Sequence, residues 1–274
     1  MIQLISARAK YTDPTEYAFI DAAYLREETN EILKQCFGEN VKYEDLSLDK
    51  MTPNFTKVFY YDCLPAKNNN ENNNDYNARI EPNKQFLDKI HDYKGYHVFE
   101  GSTSGVGNRA RQKQVDVMLS VDMLMHAVRG NMSKATLLSG DLDFNPVVES
   151  LVEEGMWVTL WCNPKSSSRK LIHAADQVRK FYIGSLYPAL PEDTKQDCQI
   201  PSHNRGKIAA IENPTKVGIT SLNEKIEMHV GSERTNILIY RNESEDRSQY
   251  QGTNSSFLVN WIEGSEEITI KWNK

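Results

Sequence analysis

The chain predicts an α/β fold, a parallel sheet flanked by helices, followed by a small β-rich C-terminal domain. Up to Ile183, apolar runs of strand length alternate with longer stretches of helical spacing, the pattern of parallel strands joined by crossover helices. Beyond the break Tyr187-Pro188-Ala189-Leu190-Pro191, short β-like runs are divided by Gly, Asn and Ser clusters instead. These two regimes set the expected domains: 1–190 for the α/β domain, 191–206 for a polar linker and 207–274 for the accessory β-rich domain.

Tyr17-Ala18-Phe19-Ile20-Asp21 reads as a strand ending in an acid, and Leu25 to Phe37 follows with apolar residues at helical spacing. A second strand covers Lys57 to Asp62. The asparagine-rich stretch Asn68 to Asn77 buries too little apolar surface to order itself, so a mobile loop is expected there. Next come a helix near Asn83 to His91, a strand at Tyr96 to Phe99, a Gly/Ser loop from Gly101 to Gly107 and a long helix from about Gln112 to Arg129. That helix is apolar around most of its circumference, which predicts a buried helix.

The strand Ala135-Thr136-Leu137-Leu138 leads into Ser139-Gly140-Asp141-Leu142-Asp143-Phe144 and then a helix from near Pro146 to about Glu154. A strand from Trp157 to Trp161, a basic loop from Asn163 to Lys170, a helix containing Ala174 and Ala175, and a strand near Lys180 to Ile183 close the alternation. In the second domain the β-like runs are Ile208 to Ile211, Ile226 to Val230, Ile237 to Tyr240, Phe257 to Trp261 and Ile268 to Ile270.

Composition narrows the function classes. A chain of 274 residues with an ordinary apolar fraction builds a sizeable core. Its longest apolar runs fall well short of the roughly 20 residues of a membrane helix, and no signal peptide is legible, so a cytoplasmic protein with no membrane contact is expected. Cys36, Cys63, Cys162 and Cys198 are scattered without a CxxC pair, so the spacing suggests neither a zinc knuckle nor a disulfide framework and reduced thiols are expected. A net charge of -6 argues against an indiscriminately basic nucleic-acid coat, but not against local basic patches around an acidic centre.

The chemistry sits in the acids. In an open parallel sheet, ligands bind beyond the carboxyl ends of the strands, so Asp141 and Asp143 after one strand and Asp21 at the end of another are placed to gather a divalent cation. First and fourth strands are often central neighbours in such a sheet, which brings Asp21 and Asp141 side by side. In the long helix, Asp116 and Asp122 are costly to bury unpaired. Six positions rotate a helical side chain by some 240°, so Asp116, nearer the helix start, is the better ligand candidate. A helix cap is the alternative for Asp141 and Asp143, since either accepts backbone N–H bonds at the start of the following helix.

Phe19-Ile20-Asp21, Lys113-Gln114-Val115-Asp116-Val117-Met118-Leu119-Ser120-Val121-Asp122 and Leu138-Ser139-Gly140-Asp141-Leu142-Asp143-Phe144 together resemble the NYN domain family, whose members belong to the PIN-like nucleases. The resemblance runs from about Tyr17 to Ile183 and is reinforced by Ser166 to Asp176. It implies a Rossmann-like nuclease domain in which Asp21, Asp116 and Asp141 hold Mg²⁺ or Mn²⁺, with Asp143 as a further acid of the metal site and Asp122 in a supporting place. It also implies hydrolysis of RNA, as an endoribonuclease. The chain departs from the family's frequent Asp-Gly-x-Asn in having Asp21-Ala22-Ala23-Tyr24, and from Lys-Gly-Val-Asp in having Lys113-Gln114-Val115-Asp116.

Arg109, Arg111 and Lys113 after the glycine-rich loop, and Lys165, Arg169 and Lys170 after the strand of Trp161, are candidates for phosphate contacts; solvated surface is the alternative for each. The Gly101 to Gly107 loop lacks the ending of a P-loop and carries Thr103 where a nucleophile elbow has serine, and the histidines form no metal-ligand spacing. Trp157 and Trp161 read as core rather than as base-stacking platforms. Two further readings stand beside an RNA-cleaving enzyme: a nuclease acting on single-stranded DNA, and a non-catalytic nucleic-acid-binding or assembly module. The C-terminal domain is expected to recognise substrate, bind a protein partner or self-associate.

Overall fold

The computed structural model describes residues 15–65, 67–68, 70–101, 108–241 and 245–273, with the side chains of 108–113 left aside. The Gly/Ser loop expected over Gly101 to Gly107 thus falls, from 102 onward, outside the described residues. The chain forms two compact units, one built from residues up to Leu25 with Thr52–Arg179, the other from Arg26–Met51 with Lys180 onward.

The first unit runs β1 (Glu16–Asp21), the start of α1 (Ala22–Phe37), β2 (Lys57–Asp62), α2 (Asn73–His91), β3 (Tyr96–Glu100), α3 (Asn108–Val128), β4 (Lys134–Leu138), α4 (Asn145–Glu153), β5 (Trp157–Cys162), α5 (Arg169–Ala174) and β6 (Gln177–Lys180). Its sheet has the order β3-β2-β1-β4-β5-β6. Parallel ladders put Ile20 beside Tyr60 on one side and Leu138 on the other. The order reverses between β1 and β4, and their carboxyl ends form the crevice in which such sheets bind ligands. Continuous apolar runs make these strands because both faces of a parallel sheet are covered. On one face Phe19, Phe59, Leu137 and Leu160 pack with Leu119 and Met123 of α3 and Val148 and Leu151 of α4.

Several sequence expectations are corrected here. Helix α2 begins ten residues early, at Asn73, inside the stretch expected to be a loop, because Asn72 accepts the Asp75 N–H at 2.9 Å and Arg79 pairs with Glu71 at 2.7 Å. Helix α3 is not buried all round. Val115, Leu119 and Met123 face the core, whereas Val117, Val121 and Val128 are 61%, 49% and 80% exposed, since the sheet covers only one side of the helix. The last strand ends at Lys180, and Ile183–Leu186 is helical. Trp161 is fully buried under the Arg179 guanidinium, 3.9 Å from its ring, but Trp157 at the mouth of β5 is half exposed.

The second unit contains α6 (Ile183–Leu186), α7 (Glu192–Asp197), β7 (Ser202–Gly206), β8 (Lys216–Thr220), β9 (Lys225–Val230), β10 (Thr235–Tyr240), β11 (Arg247–Gly252), α8 (Ser255–Ser265) and β12 (Ile270–Trp272). An antiparallel sheet of order β12-β8-β9-β10-β11-β7 buries Ile226, Met228, Ile237 and Ile239 against Leu258 and Ile262 of α8. Residues 26–51 and 180–206, read from sequence as first domain and linker, group by compactness with this unit, and 191–206 carry α7 and β7.

Two β-like runs of the sequence are not strands. Phe257 to Trp261 lies in α8, started by Asn254, whose side chain accepts the Phe257 N–H at 2.9 Å. Ile208 to Ile211 has no regular structure, and the polar β7, β8 and β11 supply strands in its place. Directly after β10, Arg241 bridges Glu224 and Glu266 at 3.1 and 2.8 Å, so the partly buried guanidinium is matched by carboxylates on two sides.

Candidate functional site

Asp21 closes β1 and is 9% exposed. Its Oδ1 accepts the Ala23 and Tyr24 backbone N–H groups at 3.1 and 3.2 Å, the donors left open at the start of α1. Its Oδ2 accepts from Ser139 Oγ at 3.0 Å, across from β1 to the turn after β4. Burial drives the Asp21 pKa upward; the bonds from Tyr24, Ser139 and Ala23 oppose that, and the nearby charge of Asp141 adds to it. The carboxyl is held in orientation at a point where negative charge is uncomfortable, a setting that a bound cation relieves.

Asp116, half-buried on α3, lines a cleft of about 230 Å³ with Asp21, Tyr61, Cys63 and Val115. Asp141 is exposed, and its Oδ1 accepts the Asp143 N–H at 2.9 Å, which makes it the cap of the short 3-10 turn Leu142–Phe144. The cap reading thus describes Asp141. Asp143 lies within that turn and is exposed. Asp122 accepts from the Tyr61 hydroxyl at 2.8 Å, and burial followed by Asp122 pushes the Tyr61 pKa upward. Asp122 thereby orients a wall of the cleft from outside it.

Among the described residues, no three His, Cys, Asp or Glu side chains converge as a ready metal cage. Asp21 and Asp116 both line one cleft, and Asp141 is close enough to act on Asp21. These carboxylates are hard oxygen donors at an open crevice, the donor set of an ion that keeps waters and takes further oxygens from substrate. The residues fit Mg²⁺ or Mn²⁺ in that sense.

Lys165, Arg169 and Lys170 are exposed on the loop and helix after β5, with Lys170 3.9 Å from Glu149. The side chains of Arg109, Arg111 and Lys113 lie outside the described residues. Sequence reasoning assigned no role to Ser139, Asp62 or Ser167, and noted Tyr24 only as a departure from the family pattern. Ser139 joins two of the acids. Asp62 ends β2 as Asp21 ends β1, is 3% exposed and accepts the Cys63 N–H at 2.8 Å; a second strand closing on an acid was the signal. Tyr24 and Ser167 share a hydrogen bond of 3.0 Å at the crevice, which nothing in the spacing of the chain announces.

The NYN domain family model matches residues 19–183, over half of the chain, spanning β1 to the start of α6. The chain belongs to the NYN domain family. Every sequence-predicted acid and base lies inside the matched NYN range. The NYN chain is also similar to a crystal structure of a protein of unknown function from Vibrio parahaemolyticus RIMD 2210633, at 16% identity over 63% of this chain and 96% of that one, with a TM-score of 0.43. No curated protein matches it. Among the described residues no helix is long and apolar enough to cross a membrane.

Proposed function

We propose that this NYN protein is a metal-dependent endoribonuclease that hydrolyses RNA phosphodiester bonds, with Asp21, Asp116 and Asp141 as ligands of Mg²⁺ or Mn²⁺ and Asp143 as a further acid at the rim. The observation that carries the reading is the meeting of Asp21 and Asp116 on one cleft at the carboxyl ends of the strands, with the charge of Asp141 felt by Asp21. A divalent ion at such a place supplies an activated water and offsets charge on the attacked phosphate.

The remaining work belongs to the chain. Three hydrogen bonds fix the Asp21 carboxyl, so its orientation is set before substrate arrives. Asp122 fixes Tyr61, which bounds the cleft. Lys165 and Arg169 stand exposed to meet the phosphate backbone, with Lys170, Arg109, Arg111 and Lys113 as further candidates. The four free thiols fit a reducing cytoplasmic setting, and the accessory unit fits recognition of RNA, a protein partner or a second copy. A second reading, binding without turnover, is favoured by one observation: the described acids form no three-membered cage.

Purified full-length protein with Mn²⁺ is expected to cut single-stranded RNA internally, faster than single-stranded DNA, and to stop in EDTA. Asp21→Asn and Asp141→Asn are each expected to lower the rate by more than about 100-fold, the scale reached by disturbing even the outer partners of metal ligands. Cutting that persists in EDTA overturns the metal mechanism, and binding of RNA without cutting selects the second reading.

A further inference from the structure

At the crevice, Tyr24 closes a ring of hydrogen bonds. The Asn163 backbone N–H donates to the Tyr24 hydroxyl oxygen at 2.9 Å, and Ser167 Oγ donates to the Asn163 carbonyl at 2.8 Å. Ser167 has one hydroxyl hydrogen, and that bond uses it. The 3.0 Å contact between Tyr24 and Ser167 is then the Tyr24 O–H donating to Ser167 Oγ. The cycle runs Asn163 N–H to Tyr24, Tyr24 to Ser167, and Ser167 back to the Asn163 carbonyl, each group polarising the next.

The ring is seated on Gly140. A Cβ there would collide with Ser167 Oγ and lie 2.7 Å from Tyr24 Cε2. The Gly140 carbonyl also accepts the Ser168 N–H at 3.1 Å. Three segments are thereby joined: the β1–α1 junction that holds Asp21, the Ser139-Gly140-Asp141 turn, and the loop from Asn163 to Ser168. Inside that loop Asn163 Oδ1 accepts the Lys165 N–H at 3.1 Å, and Arg169 follows directly on Ser168. The loop's exposed cations are thus tied to the β1–α1 junction through one phenol hydroxyl, and to the turn that carries Asp141 through the Ser168–Gly140 bond.

We infer that Tyr24 is a positioning residue for substrate: its hydroxyl sets the place of the basic loop Asn163–Lys170 relative to the aspartates, so that Lys165 and Arg169 meet the phosphates flanking the scissile one. The inference rests on the proposed nuclease site for its substrate, and on the hydrogen-bond ring for its mechanism. Tyr24→Phe keeps the aromatic packing on Gly140 and removes the hydroxyl alone; Ser167→Ala opens the same ring from the other side.

The test uses full-length protein and three readouts. Binding of a fluorescent single-stranded RNA, with Ca²⁺ replacing Mn²⁺, gives Kd and its salt dependence; cleavage with Mn²⁺ gives KM and kcat; hydrogen exchange reports the loop amides. Each single variant is expected to exchange faster at Asn163 and Ser168, to bind about tenfold more weakly, the scale of one or two net hydrogen bonds, and to raise KM more than it lowers kcat. The salt dependence becomes shallower as phosphate contacts are lost. The double variant is expected to bind no more weakly than the weaker single one, because one ring is broken in both.

Faster loop exchange with wild-type Kd and salt slope overturns the inference and leaves the nuclease reading standing. Binding without cleavage by the wild type overturns the nuclease reading, while the Kd comparison still decides the role of Tyr24. A wild type that binds neither RNA nor single-stranded DNA overturns both.

Discussion

Ser139 Oγ donates to Asp21 Oδ2 across 3.0 Å while accepting the Asp141 backbone N–H at 3.2 Å. One buried hydroxyl thus couples the end of β1 to the turn after β4, where two of the three proposed ligands, Asp21 and Asp141, stand. The parallel ladder makes this possible, since Ile20 and Leu138 are register partners and the next residue of each strand emerges at the same level. Ser139 is fully buried, so water does not compete for either bond.

Ser139→Ala removes a donor from Asp21 and an acceptor from the Asp141 N–H together. The expected cost in stability is about 1–3 kcal/mol, the penalty for stranding buried polar groups. The expected loss in RNA cleavage is about 10- to 100-fold, as for the outer partners of metal ligands. Urea midpoints and single-turnover rates measure the two, and Ser139→Thr, which keeps the hydroxyl, is expected to retain most of both. A wild-type rate in the alanine variant would separate the hydroxyl from the site.

Gly140→Ala tests the seat of the tyrosine ring by steric means. The added methyl has no room beside Ser167 and Tyr24, so the loop Asn163–Ser168 must shift or the turn must. The expected destabilisation is about 1–3 kcal/mol, as for overpacking of a filled core, with weakened RNA binding. A thermal melt and an RNA titration check it. Gly155→Ala, where no atom lies near but φ is +78°, serves as a comparison in which backbone strain acts without collision and RNA binding stays at the wild-type value.

Much of the first unit was legible because parallel strands and their crossover helices have long, distinct hydrophobic periods, and the motif around Asp141 sits directly on a strand end. The adjacency of β1 and β4, at whose ends Asp21 and Asp141 stand, followed from the usual strand order of such sheets. The exposed face of α3 was not legible: Val117, Val121 and Val128 are apolar in composition, and only the sheet's coverage decides which side of the helix is solvated. The second unit was harder, since Ser202–Gly206 and Arg247–Gly252 pair as strands through backbone bonds with scarcely an apolar residue between them. Tyr24, Asn163 and Ser167 meet from far apart in sequence, and no local pattern encodes that meeting.

The two faces of α3 are expected to respond in opposite ways. Leu119→Ala empties a buried position packed on the sheet and should cost about 2–5 kcal/mol. Val128→Lys changes an 80% exposed residue and should alter stability by no more than about 0.5 kcal/mol. Chemical denaturation of both variants is the measurement. A large loss in the lysine variant would mean that this face is covered in solution, and a concentration-dependent midpoint would then identify a second copy as the cover.

The second unit carries a pH dependence that can be read at both ends of the scale. Glu227 is 5% exposed, and burial pushes its carboxyl upward, but hydrogen bonds from Lys225 and Tyr240 outweigh that, so its pKa lies below the ordinary 4.5. A depressed carboxylate contributes stability that is present above the unfolded value and is lost as pH falls through the folded one. Tyr240, which donates to Glu227 at 2.5 Å, is pushed up to about 12 by burial and then by Glu227. A raised phenol contributes stability that is present below its ordinary 10.0 and is lost as pH rises toward about 12. Wild-type urea midpoints are therefore expected to fall both below pH 4.5 and above pH 10. Glu227→Gln keeps an acceptor for Tyr240 without the charge, and should flatten both limbs relative to wild type. Tyr240→Phe should remove the alkaline limb while leaving Lys225, 2.6 Å from Glu227, to hold part of the acid one. Parallel midpoints for the three proteins across this range, followed by a probe local to the second unit such as Trp272 fluorescence, decide it; identical curves would place the pH sensitivity elsewhere.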